Sequence, residues 1–520
     1  MNGKRKIIIA SRGSELALWQ AHFVQQDLAR TGLDSEIKII KTQGDKVQHL
    51  SLDKLEGKGF FTKEIEEALL NREADLAVHS HKDLPTESPE GLLIAAVSYR
   101  EDPSELILVR KESFDPKMKF GFRKNAVIGT SSARRKSLLL AFRSDIEIKD
   151  LRGNVPTRIQ KLRDGEYDAI LLAAAGVERL KLDLSDFHVE KPDPREFVPA
   201  PAQGVLALQT RADDAELINA LQAIHHADVA ACISIERKVL NLFEGGCHLP
   251  LGCYCIRDDE DYFQVWATKA DAWDKAPRLV YMKTKRTEDA AERIVEKIKN
   301  IKPASVFITR NLRRHDFFAD VLRGNGYKVE GRALIEINAV PLIKVPAADW
   351  VFFSSKHAVR FFLQQAAVPE GARIAAVGKG TAQELREHGL RADFIGQDND
   401  TRLTGKKFGA LAGRSTVLFP QAKGSMRTIQ QQLPAVKVIN LIVYESIQHS
   451  ADDLPVSDIL VFTSPSNAES WLEKNKIGAD QKVVAMGHAT ESTLKERGVR
   501  VHAMPATFDD AGLAAAVFGC

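Results

Sequence analysis

The chain has 520 residues, of which 44% are hydrophobic and 28% are charged, a composition typical of globular proteins. A chain of this length exceeds a single hydrophobic core, so we expect several domains. Lys and Arg total 73 against 70 Asp and Glu, and the net charge of +3 does not indicate a nucleic-acid partner. The longest apolar run, residues 169–177, is shorter than the ~18 residues of a membrane-spanning helix. We also expect no signal peptide in residues 1–13.

One of the five cysteines, Cys247, lies in a loop that glycines and a proline allow to bend sharply. The loop follows a helix predicted over residues 230–240 and precedes a strand predicted over 252–256. Its thiol could be a nucleophile, a covalent tether or a small buried hydrophobe, and the loop alone favours the last. Cys253 and Cys255 share one face of that strand, but no second ligand pair follows, so we expect no metal site. The odd number of cysteines indicates a reducing compartment without a disulfide framework.

Strand–turn–helix junctions recur along residues 1–199, and each carries groups that can bind an anion. In open α/β sheets, ligands gather at the carboxyl ends of strands, where such junctions lie. Each junction alone is more simply a capped helix or a surface ion pair. Their repetition predicts one cleft for a ligand with many carboxylates or phosphates, because arginine forks bind either group. The arginines at these junctions are Arg12, Arg134, Arg135, Arg152, Arg158 and Arg179.

Residues 1–302 resemble porphobilinogen deaminase, also called hydroxymethylbilane synthase. The resemblance rests on stretches that follow one another in order: residues 11–14, 18–22, 57–61, 78–83, 129–135, 151–158, 199–204 and 244–247. Three positions depart from the family's usual residues, namely His81, Pro156 and His248. None of them removes a charge or the sulfur.

This resemblance implies a cofactor, a reaction and a set of site residues. Cys247 would hold a dipyrromethane cofactor through a thioether, and Asp83 would stabilise the cationic azafulvene formed when porphobilinogen loses ammonia. Four condensations and hydrolysis from the primer would release hydroxymethylbilane. The implied cofactor-binding residues are Lys82, Ser132, Arg134, Arg135 and Arg158. The implied substrate-binding residues are Arg12, Ser14, Thr130, Ser131, Arg152 and Arg179.

The same resemblance implies a multidomain α/β fold for this half of the chain. Two lobes of the solute-binding-protein type would comprise residues 1–100 with 200–222, and residues 101–199. A small α+β domain over residues 223–302 would carry Cys247.

Residues 303–520 contain an internal repeat. From Phe353 to Phe462 and from Gly378 to Gly487 the offset is 109 residues. Each copy reads as strand, Ser/Thr turn, helix, strand, Gly-x-x-Thr turn and helix. Two facing α/β lobes of this kind make a cleft for an anionic ligand, although such turns are also common helix caps without chemistry.

This arrangement resembles uroporphyrinogen-III synthase. The resemblance implies two flavodoxin-like lobes, residues 303–337 with 449–520 and residues 343–440, joined by extended linkers near 337–342 and 441–448. Tyr444 would assist loss of hydroxide from the bilane before the last ring is inverted, although an ordinary strand aromatic is an equal interpretation. The residues that would bind carboxylates are Ser355, Thr381, Ser464 and Thr490.

Three hypotheses follow. The first is a bifunctional enzyme that converts porphobilinogen to uroporphyrinogen III. The second is a deaminase fused to a domain that only binds the bilane. The third is a solute-binding module with a receiver-like interaction domain. For the first we expect a cytoplasmic monomer whose partners are small molecules, porphobilinogen and hydroxymethylbilane, with no nucleic acid, membrane or metal.

Overall fold

The computed structural model describes residues 5–42, 62–244, 249–396, 400–448 and 452–520. The chain divides into two compact units. The first comprises Met1–Pro303, His315–Gly326 and Ala514–Gly519, and the second comprises Ala304–Arg314, Tyr327–Leu513 and Cys520. Within the described ranges, no helix is both long enough and apolar enough to span a membrane.

The described part of the first unit contains thirteen strands and nine complete helices. The strands are Ile7–Ser11 (β1), Ser35–Ile39 (β2), Leu76–Ser80 (β3), Leu92–Val97 (β4), Glu105–Arg110 (β5), Val127–Gly129 (β6), Glu147–Lys149 (β7), Ala169–Ala173 (β8), Phe187–Glu190 (β9), Leu206–Arg211 (β10), Leu251–Arg257 (β11), Phe263–Lys269 (β12) and Arg278–Thr284 (β13). The helices are Glu15–Arg30 (α1), Lys63–Leu70 (α2), Ala133–Phe142 (α3), Val155–Arg163 (α4), Ala174–Leu180 (α5), Ala215–Leu221 (α6), Ala227–Leu242 (α7), Ala290–Lys299 (α8) and Phe317–Gly324 (α9).

Two five-stranded mixed sheets and one three-stranded sheet organise these elements. The first sheet has the order β2-β1-β3-β10-β4, with β10 antiparallel to both of its neighbours. All six residues of β10 are buried, as expected for a strand inside a sheet covered on both faces. The second sheet has the order β7-β6-β8-β5-β9. In both sheets, parallel strands end at turns that enter helices, and these turns carry the predicted site residues.

The three-stranded sheet is an antiparallel meander, β11-β12-β13. Helices α7 and α8 cover one face of it through a shared apolar core that includes Val239, Val265 and Ile294. Cys247 lies in the connection from α7 to β11, within residues 245–248, outside the described residues. The predicted residues 57–61 also lie outside them.

The second unit contributes ten strands in its described residues. They are Ser305–Ile308 (β14), Lys328–Gly331 (β15), Ile335–Ala339 (β16), Trp350–Phe353 (β17), Arg373–Ala376 (β18), Phe394–Ile395 (β19), Thr416–Ala422 (β20), Lys437–Gln448 (β21), Ile459–Phe462 (β22) and Lys482–Ala485 (β23). The remaining α-helices of the described ranges are Lys356–Leu363 (α10), Lys379–Glu387 (α11), Thr401–Ala412 (α12), Pro465–Leu472 (α13), His488–Glu496 (α14) and Asp510–Phe518 (α15).

These strands form a four-stranded parallel sheet, β15-β14-β22-β23, and a six-stranded sheet, β16-β21-β20-β17-β18-β19. The repeated turns have matching geometry. Ser355 and Ser464 cap α10 and α13 with φ, ψ of −160°, 159° and −158°, 160°, and each accepts from the amide three residues later. Residues 441–448, predicted as an extended linker, continue β21, and the end of this strand pairs antiparallel with β16.

Candidate active site

The turn His81–Asp83 follows β3 directly and presents the predicted Lys82–Asp83 pair. Asp83 is exposed, and among the described residues its carboxylate makes no hydrogen bond or ion pair. Lys82 donates from Nζ to Oε1 of Gln203 at 3.2 Å. Burial lowers the pKa of Lys82, and the charge of Asp83 opposes that shift. The turn therefore offers an open carboxylate beside a partly desolvated cation.

A fully buried carboxylate, Glu105, lies behind this turn and joins two predicted arginines. Its oxygens accept from Arg134 Nη2 at 2.6 Å and from Arg135 Nη2 at 2.5 Å. Gln203 donates to the same carboxylate at 3.2 Å, which links the group to Lys82. Burial would raise the pKa of Glu105, but Arg135 and Arg134 lower it to about 2. The carboxylate is charged at neutral pH and fixes the two guanidinium groups side by side.

Because the arginines are held this way, their forks are only partly open to a ligand. Arg134 also donates to the carbonyl of Val198, and Arg135 to the carbonyl of Leu171, each at 3.0 Å. Sequence reasoning predicted these arginines but missed Glu105, Gln203 and Arg237. An acidic residue at the start of the apolar strand 105–110 is the one local signal for Glu105.

Several donor groups near the turn are buried and have no hydrogen-bond partner among the described residues. They are Nε of Arg135 and both Nε and Nη2 of Arg152. Burial lowers the pKa of Arg158 to about 10, with Arg135 and Arg152 adding to the shift and Asp83 opposing it. Buried donors without partners are costly, so these groups point to an anionic ligand.

The predicted hydroxyl groups near these arginines make hydrogen bonds within the turn that enters α3. Ser132 caps α3 by accepting from the amide of Arg135, and Ser131 exchanges two hydrogen bonds with the backbone of Leu151. Thr130 accepts from the amide of Ser132 at 3.3 Å. These bonds order the turn and leave each hydroxyl some capacity for a ligand.

Two predicted arginines lie at other places in the first unit. Arg12 follows β1 and, with Ser14 as the cap of α1, forms the first predicted junction. Arg179 is buried, donates to the carbonyl of Gly204 at 2.8 Å and lies 5.6 Å from the ring centre of Trp19. No contact among the described residues joins Arg179 to Asp83.

The helix that precedes Cys247 is anchored by a second buried ion pair. Glu236 on α7 is fully buried and pairs with Arg100 at 2.6 Å. Its carboxylate also accepts from the amides of Ala202 and Cys255, each at 2.7 Å. Both elements that flank the Cys247 loop are therefore fixed to one carboxylate.

In the second unit, the structure brings Tyr444 and Ser355 together. The Tyr444 hydroxyl lies 3.1 Å from the Ser355 hydroxyl, and its ring stacks on Phe361 with centroids 5.7 Å apart. Tyr444 is 9% exposed, and burial raises the pKa of its hydroxyl, a shift that Ser355 opposes. The neighbouring His357 ring is 5.9 Å away, and its pKa is lowered by burial.

The other predicted carboxylate-binding residues occupy equivalent places in the repeat. Thr381 and Thr490 are buried in the first turns of α11 and α14. Ser464 accepts from the side-chain amide of Asn467 at 2.9 Å. Within the described ranges, no hydrogen bond joins these three residues to the Tyr444–Ser355 pair. No group of three or more His, Cys, Asp and Glu side chains in that part of the chain could hold a metal ion.

An open carboxylate near buried cations is an arrangement that suits a small polyanionic ligand. Residues 7–219 match the family model described as porphobilinogen deaminase, dipyromethane cofactor binding domain. Residues 316–515 match the model described as uroporphyrinogen-III synthase HemD. Among curated relatives, a porphobilinogen deaminase of Nitratidesulfovibrio vulgaris is 45% identical over 271 residues, which is 51% of this chain and 84% of the relative. One from Chloroherpeton thalassium is 40% identical and covers 56% and 92% of the two chains.

Solved structures give weaker likenesses. Uroporphyrinogen-III synthetase from Helicobacter pylori is 20% identical, covers 41% of this chain and 98% of its own, and has a TM-score of 0.32. A Salmonella typhimurium periplasmic binding protein with high arginine specificity is 12% identical, covers 44% and 94%, and has a TM-score of 0.26.

The chain belongs to the porphobilinogen deaminase family, and its second half carries a uroporphyrinogen-III synthase domain. It is therefore a bifunctional enzyme of tetrapyrrole biosynthesis, and its first domain is a dipyrromethane cofactor binding domain. Its substrates are small pyrroles.

Proposed function

We propose that the deaminase reaction takes place at Asp83, with the surrounding cations holding the acidic side chains of the substrate. When porphobilinogen loses ammonia, its ring system becomes cationic. A carboxylate already in place stabilises that cation and can take and return a pyrrole N–H proton. The observation that carries this proposal is the open carboxylate of Asp83, which follows Lys82 in the chain and opposes the lowering of the pKa of both Lys82 and Arg158.

The buried arginines near Asp83 are suited to bind the carboxylates of the dipyrromethane cofactor. In the part of the chain that the structure describes, the buried Nε of Arg135 and Nε and Nη2 of Arg152 have no hydrogen-bond partner, and a cofactor that carries carboxylates would satisfy them. We assign Cys247 as its covalent anchor, and Lys82, Ser132, Arg134, Arg135 and Arg158 as its binding residues. The cofactor supplies the primer to which pyrroles are added. Glu105 keeps Arg134 and Arg135 oriented while ligands bind and leave.

The remaining predicted groups would bind the substrate's acetate and propionate groups. They are Arg12, Ser14, Thr130, Ser131, Arg152 and Arg179. We assign the two five-stranded sheets to two lobes, residues 1–100 with 200–222 and residues 101–199, and the three-stranded sheet to a cysteine domain over 223–302. The deaminase would thus bind its ligands where parallel strands end in helix-entry turns.

Intact-mass spectrometry of the purified chain tests the assignment of Cys247. We expect a mass that exceeds the polypeptide by two linked pyrroles, and Cys247→Ser should abolish the addition. Asp83→Asn should keep the addition and lose turnover. A wild-type chain with the bare polypeptide mass after incubation with porphobilinogen would reject the proposal, and would favour a solute-binding module.

In the second unit we assign Tyr444 as the group that helps hydroxide leave the bilane. Its hydroxyl can donate a hydrogen bond to the departing oxygen, while Ser355 accepts or donates at 3.1 Å and orients it. Ser355, Thr381, Ser464 and Thr490 would bind carboxylates through hydroxyls and helix-entry amides. Strands β17 to β20 and the start of β21 would belong to the lobe of residues 343–440. Strands β14, β15, β22 and β23 would belong to the lobe of residues 303–337 with 449–520. The end of β16 and the end of β21 would form the linkers.

The burial of Tyr444 favours a second candidate, a domain that binds the bilane without catalysis. Tyr444→Phe separates the two. If Tyr444 is catalytic, the variant should shift the product from the type III to the type I porphyrin isomer, measured after oxidation. An unchanged isomer ratio would reject a catalytic role for this hydroxyl. Tyr327→Phe, at another buried tyrosine of the second unit, is the matched control.

We also propose a cytoplasmic monomer. Among the described residues, no disulfide joins Cys232, Cys253, Cys255 or Cys520 to another cysteine, which supports a reducing compartment. Light scattering on the purified chain should give the mass of one chain, and a dimer mass would reject the monomer.

A further inference from the structure

The position of Asp83 is set by the backbone of its turn. Among the described residues its carboxylate has no hydrogen-bond or ion-pair partner, so no side chain holds it directly. Two backbone hydrogen bonds help to order the turn: His81 N–H donates to the carbonyl of Val205 at 2.9 Å, and Leu84 N–H donates to the carbonyl of His81 at 3.3 Å. Whatever holds the carbonyls of this turn therefore decides where the carboxylate lies.

One side chain binds three of those carbonyls. Arg237, on α7, donates from Nη1 to the carbonyl of His81 at 3.0 Å and to that of Leu84 at 3.3 Å. Its Nη2 donates to the carbonyls of Leu84 and Pro85. These carbonyls lie on both sides of Asp83. A planar guanidinium binds several acceptors in a fixed relative geometry, and charge-assisted hydrogen bonds are stronger than neutral ones.

The part of helix α7 that carries Arg237 is itself fixed in place. The preceding residue, Glu236, is fully buried and bonded to Arg100 and to the amides of Ala202 and Cys255. Helix α7 ends at Leu242, five residues before Cys247. One rigid helix thus holds the Asp83 turn at its side and leads into the loop of the cofactor cysteine.

We propose that Arg237 is a positioning residue for the deaminase reaction. It holds residues 81–85 so that the Asp83 carboxylate lies at a fixed place relative to the pyrrole on which it acts. This role rests on the proposed function of Asp83. A misplacement of about 1 Å at a reacting centre can cost about 100-fold in rate, so a backbone clamp is enough to control turnover.

The test compares Arg237→Gln, Arg237→Lys and Lys238→Gln in the full-length chain with its cofactor attached. Lys238 is the next residue on α7 and is exposed, so it serves as the matched control. We expect Arg237→Gln to lower kcat for porphobilinogen consumption about 10- to 100-fold with KM within about threefold. Arg237→Lys keeps the positive charge but loses the planar guanidinium, so its kcat should lie between those of the wild type and Arg237→Gln. Lys238→Gln should match the wild type, and all variants should show the adduct by intact mass.

A double variant separates positioning from a general structural role. If Arg237 acts through Asp83, adding Arg237→Gln to Asp83→Asn should lower the residual kcat by no more than about twofold. The same fold-loss in both backgrounds, or a wild-type kcat in Arg237→Gln, would overturn the proposal. If instead Asp83→Asn alone keeps full turnover, the proposed role of Asp83 fails, and with it the basis for assigning this role to Arg237.

Discussion

Replacing Glu105 with glutamine should remove the charge that holds Arg134 and Arg135 together. The carboxylate is fully buried and accepts from the two guanidinium groups at 2.6 Å and 2.5 Å. In the variant, both cations stay buried without their counter-charge, and the new amide group directs a donor at one of them. Removing one partner from a buried ion pair costs about 3–5 kcal/mol.

Thermal unfolding followed by circular dichroism measures this loss. At about 2–4 °C per kcal/mol, the melting temperature of the first unit should fall by roughly 10 °C. Glu112→Gln is the control, because that side chain is 72% exposed and 3.5 Å from Arg110. The control should change stability by no more than about 0.5 kcal/mol.

The pH dependence of the loss gives a second, independent check. The folded pKa of Glu105, about 2, lies below the ordinary value of 4.5, so its stabilisation is complete above pH 4.5 and is lost as pH falls toward 2. The difference between wild type and Glu105→Gln should be constant from pH 5 to 7 and shrink by about 1 kcal/mol between pH 4.5 and 3.5. A variant as stable as the wild type at pH 7, or a difference that grows on acidification, would refute this reasoning.

Three further substitutions test the packing by denaturant unfolding. Gly204→Ala should destabilise the first unit by about 2 kcal/mol or more, because φ is +91° there and a Cβ would collide with the carbonyl oxygen of Glu101; a neutral effect would contradict that conformation. Ser464→Ala should cost about 1 kcal/mol in the second unit by removing the cap of α13, and a loss below about 0.3 kcal/mol would contradict the capping geometry. Phe408→Ala, at a fully buried ring packed against Trp350 and Phe352, should cost about 3–5 kcal/mol. An effect below about 1 kcal/mol would show that this core is not packed as described.

Short sequence patterns predicted the strand ends, helix caps and turns that carry the site residues. The strand before Lys82 and Asp83, the Ser132 cap before two arginines and the duplicated Ser355 and Ser464 turns can each be recognised within a few residues. The identity of the two halves came from resemblance to families, and the comparisons confirmed it.

The interactions that position these groups could not be predicted in the same way. Glu105 pairs with Arg134, which lies 29 residues further along the chain, and Arg237 binds the carbonyl of His81, which lies 156 residues before it. Strand β10 enters the first sheet between β3 and β4, which precede it by more than 100 residues. Residues 441–448 look extended in the sequence, but only their pairing with β16 shows that they form a strand.

The isomer composition of the porphyrin made from porphobilinogen by the purified full-length chain tests the central claim most directly. Because one chain carries both domains, we expect the oxidised product to be predominantly the type III isomer without any added enzyme. A product that is predominantly type I would contradict the account, since it would show that the bilane leaves the first domain and closes spontaneously.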